Sequence, residues 1–137
     1  MAFGLHSMGV QIEIAGERWF VDPPERLSPP GEPLILGNAG TAVRFLTGLA
    51  PLVPGPYLID GNAAMRRRPM PVLLGALRGL GVSVEELGRA GCPPVRLSGT
   101  KSRVGAAGAP EAVRFESGLS SQELSALLML GAALPAA

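Results

Sequence analysis

The stretch Pro33-Leu-Ile-Leu-Gly-Asn-Ala-Gly-Thr-Ala-Val-Arg44 joins a short apolar run to a helical pattern through a turn that contains two glycines. The apolar run predicts a strand over residues 33–36. Residues 41–52 are predicted to form a helix, because Val43 and Leu46 recur at helical spacing and share one face. A strand followed at once by a helix is the first half of a β-α-β unit.

The segments that follow this stretch complete the unit. They predict a helix over residues 69–80 and strands over residues 56–60, 82–87 and 95–98. The resulting order is β-α-β-α-β-β, which indicates an α/β (α+β) fold class. Further strands are predicted over residues 10–14, 18–21 and 112–115, and further helices over residues 2–8 and 120–134, with loops at 22–30 and 100–110.

The chain also repeats itself. Leu5-His-Ser-Met-Gly-Val-Gln-Ile-Glu13 matches Leu77-Arg-Gly-Leu-Gly-Val-Ser-Val-Glu85 at an offset of 77 − 5 = 72 residues. Each copy reads as a helix end, a glycine stop and a strand, which is the signature of a repeated supersecondary unit. We therefore expect one partial domain over residues 1–137. It contains the tail of one unit (1–22), a complete unit (33–99) and the head of another (112–137).

Composition narrows the class of protein. Of the 137 residues, 47% are hydrophobic and 17% charged, which is apolar enough for a packed core and argues against disorder. The net charge of +1 gives no strong field toward nucleic acid or a membrane surface. Cys92 is the single cysteine, so no intrachain disulfide is expected and a cytoplasmic setting is favoured. His6 and Cys92 lack companions, so no metal site is expected.

The turn after the first predicted strand is a candidate anion site. The first N–H groups of a helix have no internal partners and lie at the positive end of its dipole. Gly40 lets a ligand approach the backbone closely, Asn38 lies within the turn, Thr41 is placed to cap the helix, and Arg44 adds charge one turn later. The alternative interpretation is an ordinary strand-to-helix turn.

A second candidate site lies in the arginine-rich segment Asp60-Gly-Asn-Ala-Ala-Met-Arg-Arg-Arg-Pro69. The planar guanidinium group binds carboxylate and phosphate through two hydrogen bonds. On charge alone a solvated basic loop is the alternative. The segment follows a strand, as the first motif does, so the two turns are expected to face one crevice. Arg68 is the residue we expect to contact a ligand, and Pro69 is expected in the first turn of the next helix.

The third candidate is the turn before the last predicted helix. Ser120 and Ser121 offer hydroxyl groups and Gln122 an amide, a polar uncharged set that suits a ligand with phosphate and hydroxyl groups. The alternative is plain helix capping, since Ser120 with Glu123 three residues later makes a capping-box pattern.

These three motifs, in this order and spacing, resemble the 5-enolpyruvylshikimate-3-phosphate (EPSP) synthases. The Gly-Asn-Ala-Gly-Thr turn, the Arg-Pro pair at Arg68 and the Ser-Ser-Gln triplet at Ser120 carry the resemblance, which extends along nearly the whole chain. The family transfers the enolpyruvyl group of phosphoenolpyruvate to shikimate-3-phosphate without a metal or organic cofactor. Its fold is built from repeated β-α-β-α-β-β units in two domains, so the resemblance implies the same enolpyruvyl transferase fold here.

The resemblance also implies roles for individual residues. For phosphoenolpyruvate they are Gly40, Arg68 and Gln122, with Asn38, Thr41 and Arg44 shaping the turn. For shikimate-3-phosphate they are Ser120, Ser121 and Gln122. No catalytic acid or base is assigned to this chain, and no metal.

The chain departs from the family in three ways. The family's lysine-bearing Pro-Gly-Ser-Lys-Ser segment and its second domain have no counterpart here, and Ala64 stands where many members have an arginine. Little turnover is therefore expected from the chain alone. Because a unit cut open at both ends lacks partners, we expect a larger parent protein, a complementary chain or self-association.

Two other functions stay open at this point. One is the related UDP-N-acetylglucosamine enolpyruvyl transferases, and the other is a non-catalytic fragment that binds anions or only assembles with a partner.

Overall fold

Residues 1–99 and 120–133 are described by a computed structural model. Their helices and strands, in chain order, are α1 (Ala2–His6), β1 (Gln11–Ala15), β2 (Arg18–Asp22), β3 (Leu34–Ile35), α2 (Gly40–Gly48), β4 (Gly55–Asp60), α3 (Pro71–Gly79), β5 (Ser83–Glu86), β6 (Val95–Gly99) and α4 (Ser121–Ala133). Short 3-10 turns lie at Ala50–Leu52 and Met65–Arg67. The predicted strand 112–115 and the predicted loop 100–110 lie outside the described residues.

Strands β3 to β6 form a four-stranded sheet in the order β3-β4-β6-β5. β3 and β4 are parallel, whereas β6 is antiparallel to both of its neighbours. The β-α-β-α-β-β order expected for residues 33–98 is thus present from β3 to β6. β1 and β2 make a separate antiparallel hairpin.

Aliphatic side chains fill the core between this sheet and its helices. Leu46 of α2, Leu74 of α3, and Ile59 and Leu97 of the sheet are all fully buried. Tyr57 is the buried aromatic residue of the described core, and its hydroxyl donates to the carbonyl of Leu46 at 3.1 Å. Burial raises the pKa of this phenol, so it stays neutral. Among the described helices, none has the length and apolarity that crossing a bilayer requires.

The repeated sequence motif has a repeated backbone geometry. After α1, the N–H of Val10 donates to the carbonyl of Leu5 at 3.1 Å, and after α3 the N–H of Val82 donates to that of Leu77 at 3.0 Å. The glycine before each of these valines has a positive φ, 97° at Gly9 and 84° at Gly81. A glycine in this conformation ends a helix and turns the chain into the next strand.

Two predicted helix starts are wrong by a residue or two. α3 begins at Pro71 and not at Pro69, because a proline disfavours helical backbone at the residue before it, here Met70. α2 begins at Gly40 with Ala39 as its N-cap, so Thr41 lies inside the helix and its hydroxyl does not cap it.

Candidate functional site

Two turns meet at one edge of the sheet. Because β3 and β4 are parallel neighbours, their carboxyl ends lie at the same end of the sheet, and the turns that follow them start there. The N–H of Leu36 donates to the carbonyl of Asp60 at 2.9 Å, and the N–H of Asn62 donates to that of Gly37 at 3.0 Å. The first two predicted motifs therefore lie side by side, as the sequence predicted.

Arg68 lies directly against Gly40. A Cβ atom placed on Gly40 would be 2.8 Å from Nη1 and 3.0 Å from Cζ of Arg68, and 3.2 Å from Nη1 of Arg44. Nη1 of Arg68 also lies 3.5 Å from the carbonyl oxygen of Asn38. The side chain of Arg68 is exposed to solvent, so its guanidinium group is accessible to a ligand at this point.

Arg44 is buried behind this surface and joins three elements. Its Nη2 donates to the carbonyl of Pro69 at 2.9 Å, and its Nη1 lies 3.3 Å from both the carbonyl of Gly40 and Oε1 of Gln122. Burial lowers the pKa of this guanidinium; the carboxylate of Glu123 opposes the shift. Arg44 therefore keeps a positive charge just beneath the turn, one helical turn after Gly40.

Gln122 is held from both sides of its amide. Its Oε1 accepts from Arg44, and its Nε2 donates to Oγ1 of Thr41 at 2.9 Å. The prediction that Thr41 caps α2 is wrong, and this contact is what its hydroxyl does instead. The two hydrogen bonds fix the orientation of the amide group of Gln122. The second N–H of its Nε2 therefore points in a defined direction.

Ser120 caps α4. Its Oγ accepts from the N–H of Glu123 at 3.3 Å, which is the first half of the predicted capping box. Ser121 begins the helix and is exposed. The first turn of α4 thus presents Ser121 beside Gln122, whose side chain reaches α2.

Glu123 does not complete the capping box. Its side chain is 4% exposed, and its Oε2 accepts from the N–H of Leu73 at 3.0 Å, in the first turn of α3. The N-terminal end of α3 therefore already has a carboxylate. This role of Glu123 was not predicted, because the capping-box pattern accounts for the residue locally. The available signal was a glutamate next to the apolar run of α4.

The three consecutive arginines divide between two roles. Arg66 forms an ion pair with Asp60, and its Nε lies 2.9 Å from Oδ1 of that carboxylate. Burial favours a higher pKa for Asp60, but the hydrogen bonds from Arg66 and from the N–H of Gly61 hold it below its ordinary value. Asp60 was also missed as a structural residue, although an Asp-Gly pair at a strand end is typical of a turn. Arg67 is exposed, so Arg68 remains the arginine directed at Gly40.

The chemistry that this arrangement offers is anion binding. An exposed guanidinium, a buried guanidinium, an oriented amide and bare backbone at Gly40 surround one turn. Charge-assisted hydrogen bonds of this kind suit carboxylate and phosphate oxygens. Within residues 1–99 and 120–133, no three histidine, cysteine, aspartate or glutamate side chains cluster as metal ligands.

Comparison with known proteins agrees with the fold and the motifs. A sequence model of the family described as EPSP synthase (3-phosphoshikimate 1-carboxyvinyltransferase) matches residues 1–136. A 3-phosphoshikimate 1-carboxyvinyltransferase of Rhizobium leguminosarum bv. trifolii is 47% identical over 133 residues, covering 96% of this chain and 30% of the relative. One from Pseudomonas savastanoi pv. phaseolicola is 42% identical over 135 residues, with the same shares covered.

Comparison with solved structures points to the same family. An EPSP synthase from Acinetobacter baumannii superposes with a TM-score of 0.76 at 25% sequence identity, covering 95% of this chain and 29% of that protein. The chain therefore spans about 30% of the length of the curated relatives that it matches. Because the family match runs from residue 1 to residue 136, the chain belongs to the EPSP synthase family.

Proposed function

We propose that this chain provides a binding half-site for phosphoenolpyruvate and shikimate-3-phosphate, as part of a 3-phosphoshikimate 1-carboxyvinyltransferase of aromatic amino acid biosynthesis. The observation that carries the proposal is the convergence of Arg68 and Arg44 on the bare backbone of Gly40, next to the oriented amide of Gln122. Two positive charges at one turn suit the carboxylate and phosphate of phosphoenolpyruvate.

The roles follow from position in the site. Arg68 is exposed and provides the guanidinium that binds phosphoenolpyruvate, while the absence of a side chain at Gly40 leaves room for that guanidinium beside the turn. Arg44 adds charge from below and holds Gln122, which contacts both substrates. Asn38 and Thr41 shape the turn, and Ser120 and Ser121 offer hydroxyls to shikimate-3-phosphate at the start of α4. These are binding groups, so we propose that acid–base groups and closure over the substrates come from outside this chain.

The proposal extends to the domain organisation, the partner and the location of the chain. We propose a single partial domain over residues 1–137, with the unit boundaries predicted from the repeat. A complementary chain or a second copy completes it, and nucleic acid and membranes are not partners. The cytoplasm is the proposed location.

Ligand titration with two matched variants tests the half-site. Shikimate-3-phosphate and then phosphoenolpyruvate are added to the 15N-labelled chain, and affinities are taken from calorimetry. We expect amide shifts at residues 120–122 with the first ligand and at residues 38–41 with the second. Arg68→Ala removes a charge-assisted hydrogen bond, so we expect phosphoenolpyruvate affinity to fall at least about tenfold.

Arg67→Ala is the control, because it removes the same charge from the exposed neighbouring position. We expect this variant to bind like the parent chain. If the two variants lose affinity equally, binding depends on net charge and the assignment of Arg68 is wrong. A folded chain whose spectrum ignores both ligands would overturn the half-site itself.

A UDP-sugar substrate is less well supported than shikimate-3-phosphate. The relatives that share 40–47% identity with this chain are named as 3-phosphoshikimate 1-carboxyvinyltransferases. Titration with UDP-N-acetylglucosamine under the same conditions is the direct comparison, and we expect no shifts at residues 120–122.

A further inference from the structure

The carboxylate of Asp60 connects the end of β4 to the 3-10 turn that follows it. Its Oδ1 accepts from the N–H of Gly61 at 2.7 Å and from Nε of Arg66 at 2.9 Å, and its Oδ2 accepts from Nη2 of Arg66. The side chain of Asp60 is only 8% exposed. A guanidinium that meets both oxygens of one carboxylate is fixed in orientation as well as in position.

Arg66 lies two residues before Arg68 and belongs to the same short turn, Met65–Arg67. The N–H of Arg68 donates to the carbonyl of Met65 at 3.0 Å. Arg68 is the first residue after the turn, and its backbone is extended, with φ −98° and ψ 105°. The direction in which the chain enters Arg68 therefore depends on how the turn is fixed to β4.

Other contacts fix the beginning of this turn. A Cβ atom on Gly61 would lie 2.4 Å from the carbonyl oxygen of Gly37, and the N–H of Asn62 donates to that carbonyl at 3.0 Å. Oδ1 of Asn62 accepts from the N–H groups of Ala64 at 3.1 Å and Met65 at 3.0 Å. These contacts leave the end of the turn to be fixed by the side chain of Arg66.

Arg68 thus lies between two contacts made by other arginines. The ion pair of Arg66 with Asp60 comes before it, and the hydrogen bond from Arg44 to the carbonyl of Pro69 comes after it. We propose that Asp60 and Arg66 are positioning residues, whose ion pair places Arg68 beside Gly40 for phosphoenolpyruvate, a role that rests on the binding function proposed above. Neither residue contacts the ligand itself.

A change of charge at Asp60 separates positioning from simple attraction. Asp60→Asn removes a negative charge, so attraction alone would strengthen the binding of an anion. The amide replaces one acceptor oxygen by an NH2 group, and it cannot accept from the N–H of Gly61 and from both N–H groups of Arg66. Positioning therefore predicts weaker binding, which is the opposite sign.

The experiment compares ligand affinity with backbone order in the whole 15N-labelled chain. For Asp60→Asn we expect the calorimetric affinity for phosphoenolpyruvate to fall about threefold and that for shikimate-3-phosphate to stay unchanged. Without ligand, the heteronuclear NOE of the Arg68 amide should decrease, because the end of the turn is less fixed. Arg66→Ala breaks the same ion pair and should reproduce both effects, although it changes the net charge in the other direction.

Glu85→Gln is the matched control. Glu85 forms an ion pair with Arg96 across β5 and β6, and the substitution also removes one negative charge from the same sheet. It should leave the affinity and the Arg68 amide unchanged. The proposal is overturned if Asp60→Asn binds phosphoenolpyruvate as tightly as Glu85→Gln does, or if the Arg68 amide keeps its NOE in Asp60→Asn. A parent chain that ignores phosphoenolpyruvate would contradict the proposed function, and the ligand-free NOE would still decide the role of the ion pair.

Discussion

A Cβ atom on Gly40 would lie 2.8 Å from Nη1 of Arg68 and 3.2 Å from Nη1 of Arg44. Arg68 is exposed and free to swing away, whereas Arg44 is buried and donates to the carbonyl of Pro69. An added methyl group therefore displaces Arg68 before Arg44. The absence of a side chain at Gly40 keeps the exposed guanidinium next to the turn.

We expect Gly40→Ala to weaken phosphoenolpyruvate binding while leaving the stability of the chain nearly unchanged. The free energy of unfolding should change by less than about 1 kcal/mol, because alanine is favoured over glycine in a helix and the clash falls on a flexible side chain. Phosphoenolpyruvate affinity should fall at least about tenfold as Arg68 moves, while shikimate-3-phosphate binding persists. Calorimetric titration and urea unfolding measure the two effects.

The control for this substitution is Gly75→Ala in α3, where an added Cβ meets no atom within 4 Å. It should leave both affinities unchanged. If Gly40→Ala bound phosphoenolpyruvate as tightly as Gly75→Ala does, the close approach of Arg68 to Gly40 would have no bearing on the ligand.

The position of a residue was predictable from the sequence where the backbone decides it. Gly40 and Arg68 lie in turns that each follow a strand and that were expected to face one crevice, so their proximity was predictable. The contacts of Thr41 and Glu123 were not, because each joins residues far apart in the chain: Thr41 meets Gln122, and Glu123 meets Leu73. Local capping rules favoured a nearer partner in both cases.

Among the helices and strands, too, some features were predictable from the sequence and others were not. The order from β3 to β6 was predictable from periodicity and glycine positions, and the glycine stops at Gly9 and Gly81 from the repeat. Helix starts were less predictable. Pro69 and Pro71 both suit a first helical turn, and only the restriction that Pro71 places on Met70 selects the later start.

The junction of α3 and α4 depends on one buried carboxylate. Glu123→Leu leaves the N–H of Leu73 without its acceptor and removes the negative charge near the buried Arg44. We expect the free energy of unfolding to fall by about 1–3 kcal/mol, measured by urea denaturation. Glu123→Gln keeps an acceptor oxygen but not the charge, so its loss should be smaller.

Glu17→Gln is the matched control for the change of charge, since Glu17 is exposed at the turn of the hairpin. It should unfold like the parent chain. Equal stability of Glu123→Leu and the parent would mean that the contact between α3 and α4 does not depend on this carboxylate.

At the scale of the whole molecule, the two hairpins related by the repeat differ in what surrounds them. The unit from β3 to β6 has a strand on each side of β6 and a filled core. The hairpin of β1 and β2 has the same register but lacks a neighbouring strand within the described residues. The candidate ligand groups lie on the unit from β3 to β6 and at the start of α4, and none of them is assigned as a catalytic acid or base. The chain is therefore expected to bind the substrates without turning them over.

We therefore expect the pure chain to release no phosphate from phosphoenolpyruvate and shikimate-3-phosphate above background. Binding groups alone do not supply proton transfer or exclude water, and these contributions are large in group transfer. Co-expression with the remaining parts of the Rhizobium leguminosarum relative should restore phosphate release, measured by a coupled assay. In that mixture Arg68→Ala should reduce the rate, whereas Arg67→Ala should not. Clear phosphate release by the chain alone would show that these 137 residues contain the acid–base groups as well.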